Sequence, residues 1–334
     1  MRNPDLRSTA TDCLSRGVRN LRANPWFVLA AVLQQAVTAG LTVAGFVPIL
    51  RALGYGWRPP SEHPSLGRLL DPETVAAALA ELLLAWPDLV GALLVALVPA
   101  LLSWTLALAC FCGMQGGIYG LLYAADRQAG RLPVGGVTGR ALGAGEADAL
   151  PGWRAFRLAW SWRSFAREGG RLLMPCFNLL HLYTFVVLLA LLAWSLLLAA
   201  LSRGLGPGGE LTAAAFGCAA LAVVVAPFAA LAAVSFFLAQ ADLPRRGATV
   251  RGAAARSLAV LRRRPADVAV LAATWLVASL AVAGAAAPLS SLARGSAAAT
   301  AALLAVELAA AVALTTLFAA ATVALMRDAA EVAA

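Results

Sequence analysis

The chain contains no lysine and only two histidines, His63 and His181. Charged residues of any kind make up 13% of its 334 residues, where a soluble domain carries about 25%. These absences exclude a good deal. A phosphate-binding glycine loop closed by lysine is impossible, no His/Cys spacing suits a metal, and no His/Asp/Ser set lies at matched depth. No cofactor and no metal are expected, and no catalytic residue can be named. The five cysteines, Cys13, Cys110, Cys112, Cys176 and Cys218, do not form a zinc or redox motif. Cys110-Phe111-Cys112 has the wrong spacing and no second pair accompanies it, so all five read as small apolar fillers.

What is present is apolar sequence and arginine. Hydrophobic residues reach 61%, gathered in blocks long enough to cross a hydrocarbon core about 30 Å thick. Six spans are expected, at 26–50, 88–112 (with apolar sequence continuing to 125), 172–201, 212–241, 267–288 and 298–326. Arginine clusters on alternate sides of them: in 2–22, from Arg127 to Arg171, in 245–264, and at Arg327. The opposite loops hold only Arg51, Arg58, Arg68, Arg203 and Arg294. The positive-inside rule then puts both termini in the cytoplasm. A net charge of +9 is thereby assigned to anionic inner-leaflet lipid, and no nucleic-acid partner is expected. Heavy use of Ala, Gly and Arg without Lys points to a GC-rich bacterial genome, hence a bacterial inner membrane. Residues 1–25 are polar and basic, and nothing there reads as a cleaved signal.

The long outer loop 51–87 contains a helix start, Asp71-Pro72-Glu73, followed by apolar residues to Trp86, as suits an interfacial helix. The second apolar stretch, Leu89 to Ala125, would be about 55 Å as one helix and must tilt, break or protrude. Pro99 and the glycines Gly113, Gly116, Gly117 and Gly120 are the candidate breakpoints. Two pairs of these glycines are four residues apart, the spacing that allows close helix packing in a bilayer.

One plan recurs three times, at about 12–127, 153–242 and 250–328, within a single membrane domain covering 1–334. Arginine followed within four residues by proline opens each odd-numbered span: Arg22 and Pro25, Arg171 and Pro175, Arg264 and Pro265. A basic segment precedes each. In 12–22, Leu14, Val18 and Leu21 share a face, with Arg16, Arg19 and Arg22 opposite. In 250–263, Val250, Ala254, Ser257 and Leu261 oppose Arg251, Arg256, Arg262 and Arg263. Both suit helices lying on the inner leaflet with these arginines toward headgroups. The middle copy, 153–168, is less tidy. Asp126-Arg127, Asp242 before Arg245, and Arg327-Asp328 mark the exits of the even spans. The fold expected is therefore all-α: a polytopic bundle of six transmembrane helices in three pairs, each preceded by a cytoplasmic interfacial helix.

Three stretches carry a likeness to a known group: Gly116-Gly117 leading to Asp126 and then Trp153-Arg154-Ala155-Phe156; Phe165-Ala166-Arg167-Glu168-Gly169-Gly170-Arg171; and Asp242 followed by Arg256-Ser257-Leu258-Ala259-Val260-Leu261-Arg262. The chain resembles bacterial six-helix membrane proteins of unknown function, and is similar to the membrane domain that precedes the catalytic domain in some glycerophosphodiester phosphodiesterases. That resemblance implies the membrane architecture alone. No phosphodiesterase domain follows within these residues, and two histidines without clustered acids do not carry that activity.

Polar groups inside the spans are the remaining candidates. His181 lies ten residues past Arg171, about 15 Å deep, and Gln34 and Gln35 are similarly placed after Pro25. With Asn178 they could form a contact between the first and third spans. Glu307, 20 residues before Arg327, falls near the outer surface, where Arg203 or Arg294 is a possible partner. The role expected is a membrane scaffold or a component that binds lipid or another membrane protein. A small-solute or ion transporter is the alternative, since repeats and the prolines Pro99 and Pro227 are compatible with broken helices. The sequence does not fix the oligomeric state.

Overall fold

In the computed structural model, residues 9–52, 86–129, 153–159, 161–204, 217, 223–224, 226–245, 247–292 and 296–332 are described. Among them every regular element is helical: α1 (Ala10–Ala23), α2 (Trp26–Ala52), α3 (Trp86–Ala129), a 3-10 turn (Trp153–Phe156), α4 (Trp162–Gly204), α5 (Ala226–Asp242), α6 (Val250–Arg263), α7 (Pro265–Leu292) and α8 (Ala297–Val332). Five of these helices, α2, α3, α4, α7 and α8, are long and apolar enough to cross a membrane, which marks the chain as a multi-pass membrane protein. Of the expected fourth span, 212–241, the described helix begins at Ala226, and its 17 residues are apolar but short. The expected helix in the loop 51–87 and the glycine-rich stretch 130–152 lie outside the described residues, apart from the ends of α2 and α3.

One alternative that the sequence leaves open is settled, and one expectation is corrected. The second apolar stretch does not break: α3 is one helix of 44 residues with Pro99 inside it. A span needs about 20 residues, so a helix of this length has well over a membrane's worth of chain. The middle basic segment is not a separate interfacial helix. Trp153–Phe156 is a single 3-10 turn, and from Trp162 the chain runs unbroken through Pro175 to Gly204. Proline there removes one backbone donor and leaves the helix assignment continuous. In the first and third copies the chain does turn, at residues with nearly identical backbone angles: Asn24 (φ −134, ψ 65) and Arg264 (φ −134, ψ 48). Each is followed by proline, whose ring disfavours helical geometry in the residue before it.

The chain divides into two units, residues 33–111 and the remainder. In the first, α2 and the start of α3 are joined by hydrogen bonds to backbone carbonyls. Ser103 Oγ donates to Leu41 O (2.6 Å), and Trp104 Nε1 donates to Thr42 O (3.1 Å). The indole of Trp104 fills the space beside Gly45, where a Cβ would lie 2.3 Å from Nε1, and packs against the Phe46 ring, tilted by 60° with centroids 5.0 Å apart.

The larger unit holds the core, and it sits at the arginine-rich ends of the helices. Phe27, Tyr119, Leu122, Leu238, Val260, Leu271, Phe318, Val323 and Leu325 are buried there. On α8 the residues from Val312 to Arg327 are largely buried, whereas Leu304, Val306 and Leu308 are exposed, as expected where lipid replaces protein. Between α3 and α4 the backbones approach closely. A Cβ on Gly116 would lie 2.8 Å from the Cβ of Leu172, and one on Gly120 would lie 2.8 Å from that of Glu168. Gly117 faces the ring of Phe165, and Gly113 faces Leu173 and Gly169.

Candidate functional site

The strongest polar constellation gathers four charged side chains at the arginine-rich end. Arg16 of α1 makes two hydrogen bonds to Asp126 at the end of α3, Nε to Oδ1 (3.0 Å) and Nη2 to Oδ2 (2.6 Å). Its Nη1 reaches both oxygens of Asp328 at the end of α8 (3.0 and 3.2 Å). Arg327 adds a second cation to Asp126 at 2.8 Å and donates to the Asp126 carbonyl. The Arg16 and Asp126 side chains are each 2% exposed. Two arginines and two aspartates sum to zero, which is what permits burial: an unpaired ion in such a place would cost several kcal/mol. Burial alone works against charge on Arg16, but Asp126 and Asp328 outweigh it and raise its pKa.

Arg16 reaches this position because α1 turns an unexpected face inward. Ala10, Cys13, Arg16, Gly17, Asn20 and Ala23 are buried, while Val18 is 51% exposed. The sequence pattern puts Arg16 on a headgroup-facing side with Arg19 and Arg22. Instead, small residues spaced three and four apart form the packing face. Gly17 allows α8 to approach, since a Cβ there would lie 3.2 Å from the backbone nitrogen of Ala321. Arg19 is half-buried and Arg22 exposed. A capping box between Thr9 and Asp12 starts the helix, and Asp267 of α7 accepts from the Ala10 amide (3.0 Å), occupying one of the free donors of the first turn.

A second ion pair follows the same plan. On α6, Arg256 Nε donates to Asp242 at the end of α5 (2.6 Å), with Asp242 buried. α1 and α6 are both 14 residues long, start from a threonine N-cap (Thr9, Thr249) and carry the paired arginine at the seventh position. Gly17 corresponds to Ser257, Leu21 to Leu261 and Pro25 to Pro265. Ser257 is fully buried, and its hydroxyl lies 2.9 Å from Ser235 of α5 and 3.3 Å from Tyr183 of α4. Arg251, Arg262 and Arg263 are exposed.

Asparagines complete the junctions. Asn24 is buried, donates to Phe156 O (2.7 Å) and accepts from Leu158 N (2.9 Å), so it holds the turn before α4. Asn24→Ala strands both of those backbone groups. The expected loss is about 2 kcal/mol, within the range for orphaned buried polar groups, read as a lower unfolding midpoint in detergent.

The expected polar contact within the spans resolves residue by residue. Gln34 is buried and donates to Phe111 O (3.2 Å), whereas Gln35 is exposed. Asn178 and His181 are exposed, and His181 Nδ1 lies 2.8 Å from the Phe177 carbonyl one turn back, with the two rings 4.0 Å apart. Glu307 is half-exposed. The side chains of its suggested partners, Arg203 and Arg294, lie outside the described residues. Among the described residues no group of three or more His, Cys, Asp or Glu could hold a metal.

No family model, curated protein or solved structure matches the chain.

Proposed function

We propose that the chain is a membrane scaffold that binds anionic lipid and a partner membrane protein. Its full architecture would be six spans in three pairs, in a bacterial inner membrane with both termini cytoplasmic. One observation carries this reading: Arg16, Asp126, Arg327 and Asp328 are all consumed in ion pairs that fasten one helix end to another. Charges used this way hold a shape. The matched registers of α1 and α6 support the repeat, each helix tethered by arginine to an aspartate at the exit of a span. In the middle copy the corresponding helix is the first part of α4, packed on the glycines at the end of α3. The exposed Arg251, Arg262 and Arg263 then face the anionic leaflet, each adding about 1 kcal/mol of attraction near the surface.

Native mass spectrometry of protein released from its own membrane tests this. Retained anionic lipid and a stoichiometric partner protein are expected. His181→Ala is expected to lower stability by less than about 1 kcal/mol, because its bond to Phe177 stays within one exposed helical turn. A folded His181→Ala protein that abolishes a solute flux shown by the wild type in liposomes would overturn the scaffold reading in favour of a transporter.

A further inference from the structure

The glycine face of α3 fixes its register against α4, and that register brings two thiols together. Gly120 lies against Glu168 and Gly116 against Leu172, with each pair one helical turn from the next. The helices run antiparallel, so one further turn along the same ridge sets Cys112 opposite Cys176. Both cysteines are buried, at 1% and 3% exposure, and both are free thiols. At the two preceding pairs, ideal Cβ positions are 2.8 Å apart. A disulfide needs a Cβ separation of about 3.5–4.5 Å, so helices this close need only diverge slightly over one turn to meet it.

We propose that Cys112 and Cys176 form an oxidative modification site, a disulfide that pins α3 to α4, made by a small neutral hydroperoxide. One thiol attacks the peroxide, the O–O bond breaks and a sulfenic acid forms with release of water or alcohol. The second thiol then displaces hydroxide from that sulfur. The S–S bond forms, and the thiol proton leaves with the hydroxide as a second water. The peroxide is reduced by two electrons and the thiol pair is oxidised by two. The disulfide carries no charge and so suits this apolar interface.

Full-length protein in lipid nanodiscs is treated with hydrogen peroxide, alkylated and digested with chymotrypsin. Cleavage after Phe111 separates Cys110 from Cys112, so the two thiols are distinguishable by mass. The expected product is a peptide pair linked through Cys112 and Cys176. It forms in the wild type and in Cys110→Ser, disappears on treatment with dithiothreitol, and is absent from Cys112→Ser and Cys176→Ser. The proposal is overturned if both thiols remain alkylatable, if each is oxidised separately to the sulfinic acid, or if Cys110 links to Cys176 equally well.

Discussion

Arg16→Ala is expected to destabilise the folded protein by about 3 kcal/mol, the lower end of the range for breaking a buried ion pair. The loss falls on two acids at once. Asp126 keeps Arg327 but forfeits its bidentate partner, and Asp328 forfeits a cation at 3.0 Å. A net negative charge then remains in a site that was neutral. Arg16→Lys is expected to recover little, because a single ammonium cannot address two carboxylates through a planar fork of donors. By contrast, Arg263→Ala on α6 removes an exposed side chain and should change stability by less than about 0.5 kcal/mol. Unfolding in mixed micelles with increasing denaturing detergent reads all three variants, and equal midpoints for Arg16→Ala and Arg263→Ala would contradict the assignment.

The second large effect separates two adjacent glycines. Gly169→Ala places a Cβ 2.6 Å from the carbonyl oxygen of Gly113, a backbone atom that cannot swing aside. Relief requires α3 and α4 to move apart, at a cost of about 1–3 kcal/mol. At Gly170, one position along, no atom lies within 4 Å of the added Cβ. Gly170→Ala should therefore be neutral or stabilising by about 0.5–1 kcal/mol, since alanine is the better helix former. The sign change between neighbours is the informative result. Similar losses at both would mean that composition alone, and not the α3–α4 contact, sets the tolerance. Separation of these helices would also draw Cys112 away from Cys176, so Gly169→Ala should reduce the peroxide-induced link while Gly170→Ala preserves it.

Much of this architecture is legible in the sequence, because lipid imposes a strong rule. Long apolar runs must be helical, and the starts of α2, α7 and α8 fall within a few residues of where the hydropathy places them. The glycines of α3 announced a close contact by their spacing, although the sequence named no partner helix. The reading failed at the basic segments, for a specific reason. Amphipathicity assigns bulky apolar residues to the inside, yet α1 packs through Cys13, Gly17 and Ala23 and leaves Val18 exposed, because small residues bring its backbone close to α8. Arg16 follows that face inward. Its partners, Asp126 and Asp328, were visible as acids at span exits, but nothing in one chain's pattern says that an arginine more than a hundred residues away will reach them. The shared seventh position of Arg16 and Arg256 behind a threonine cap is the one signal that could have shown it. The middle copy misled for a different reason. Pro175 marks a helix start in its two counterparts, and here it sits within a helix that began at Trp162.

An arginine on α1 is fastened to the aspartate that ends α3. A double-mutant cycle of Arg16→Ala, Asp126→Ala and the combined variant, read by unfolding midpoints in the same micelles, measures that fastening directly. A coupling of about 1–3 kcal/mol is expected, with the double variant clearly more stable than the sum of the two single losses implies. Additive losses, agreeing to within about 0.5 kcal/mol, would show that the two side chains act independently and would contradict the account.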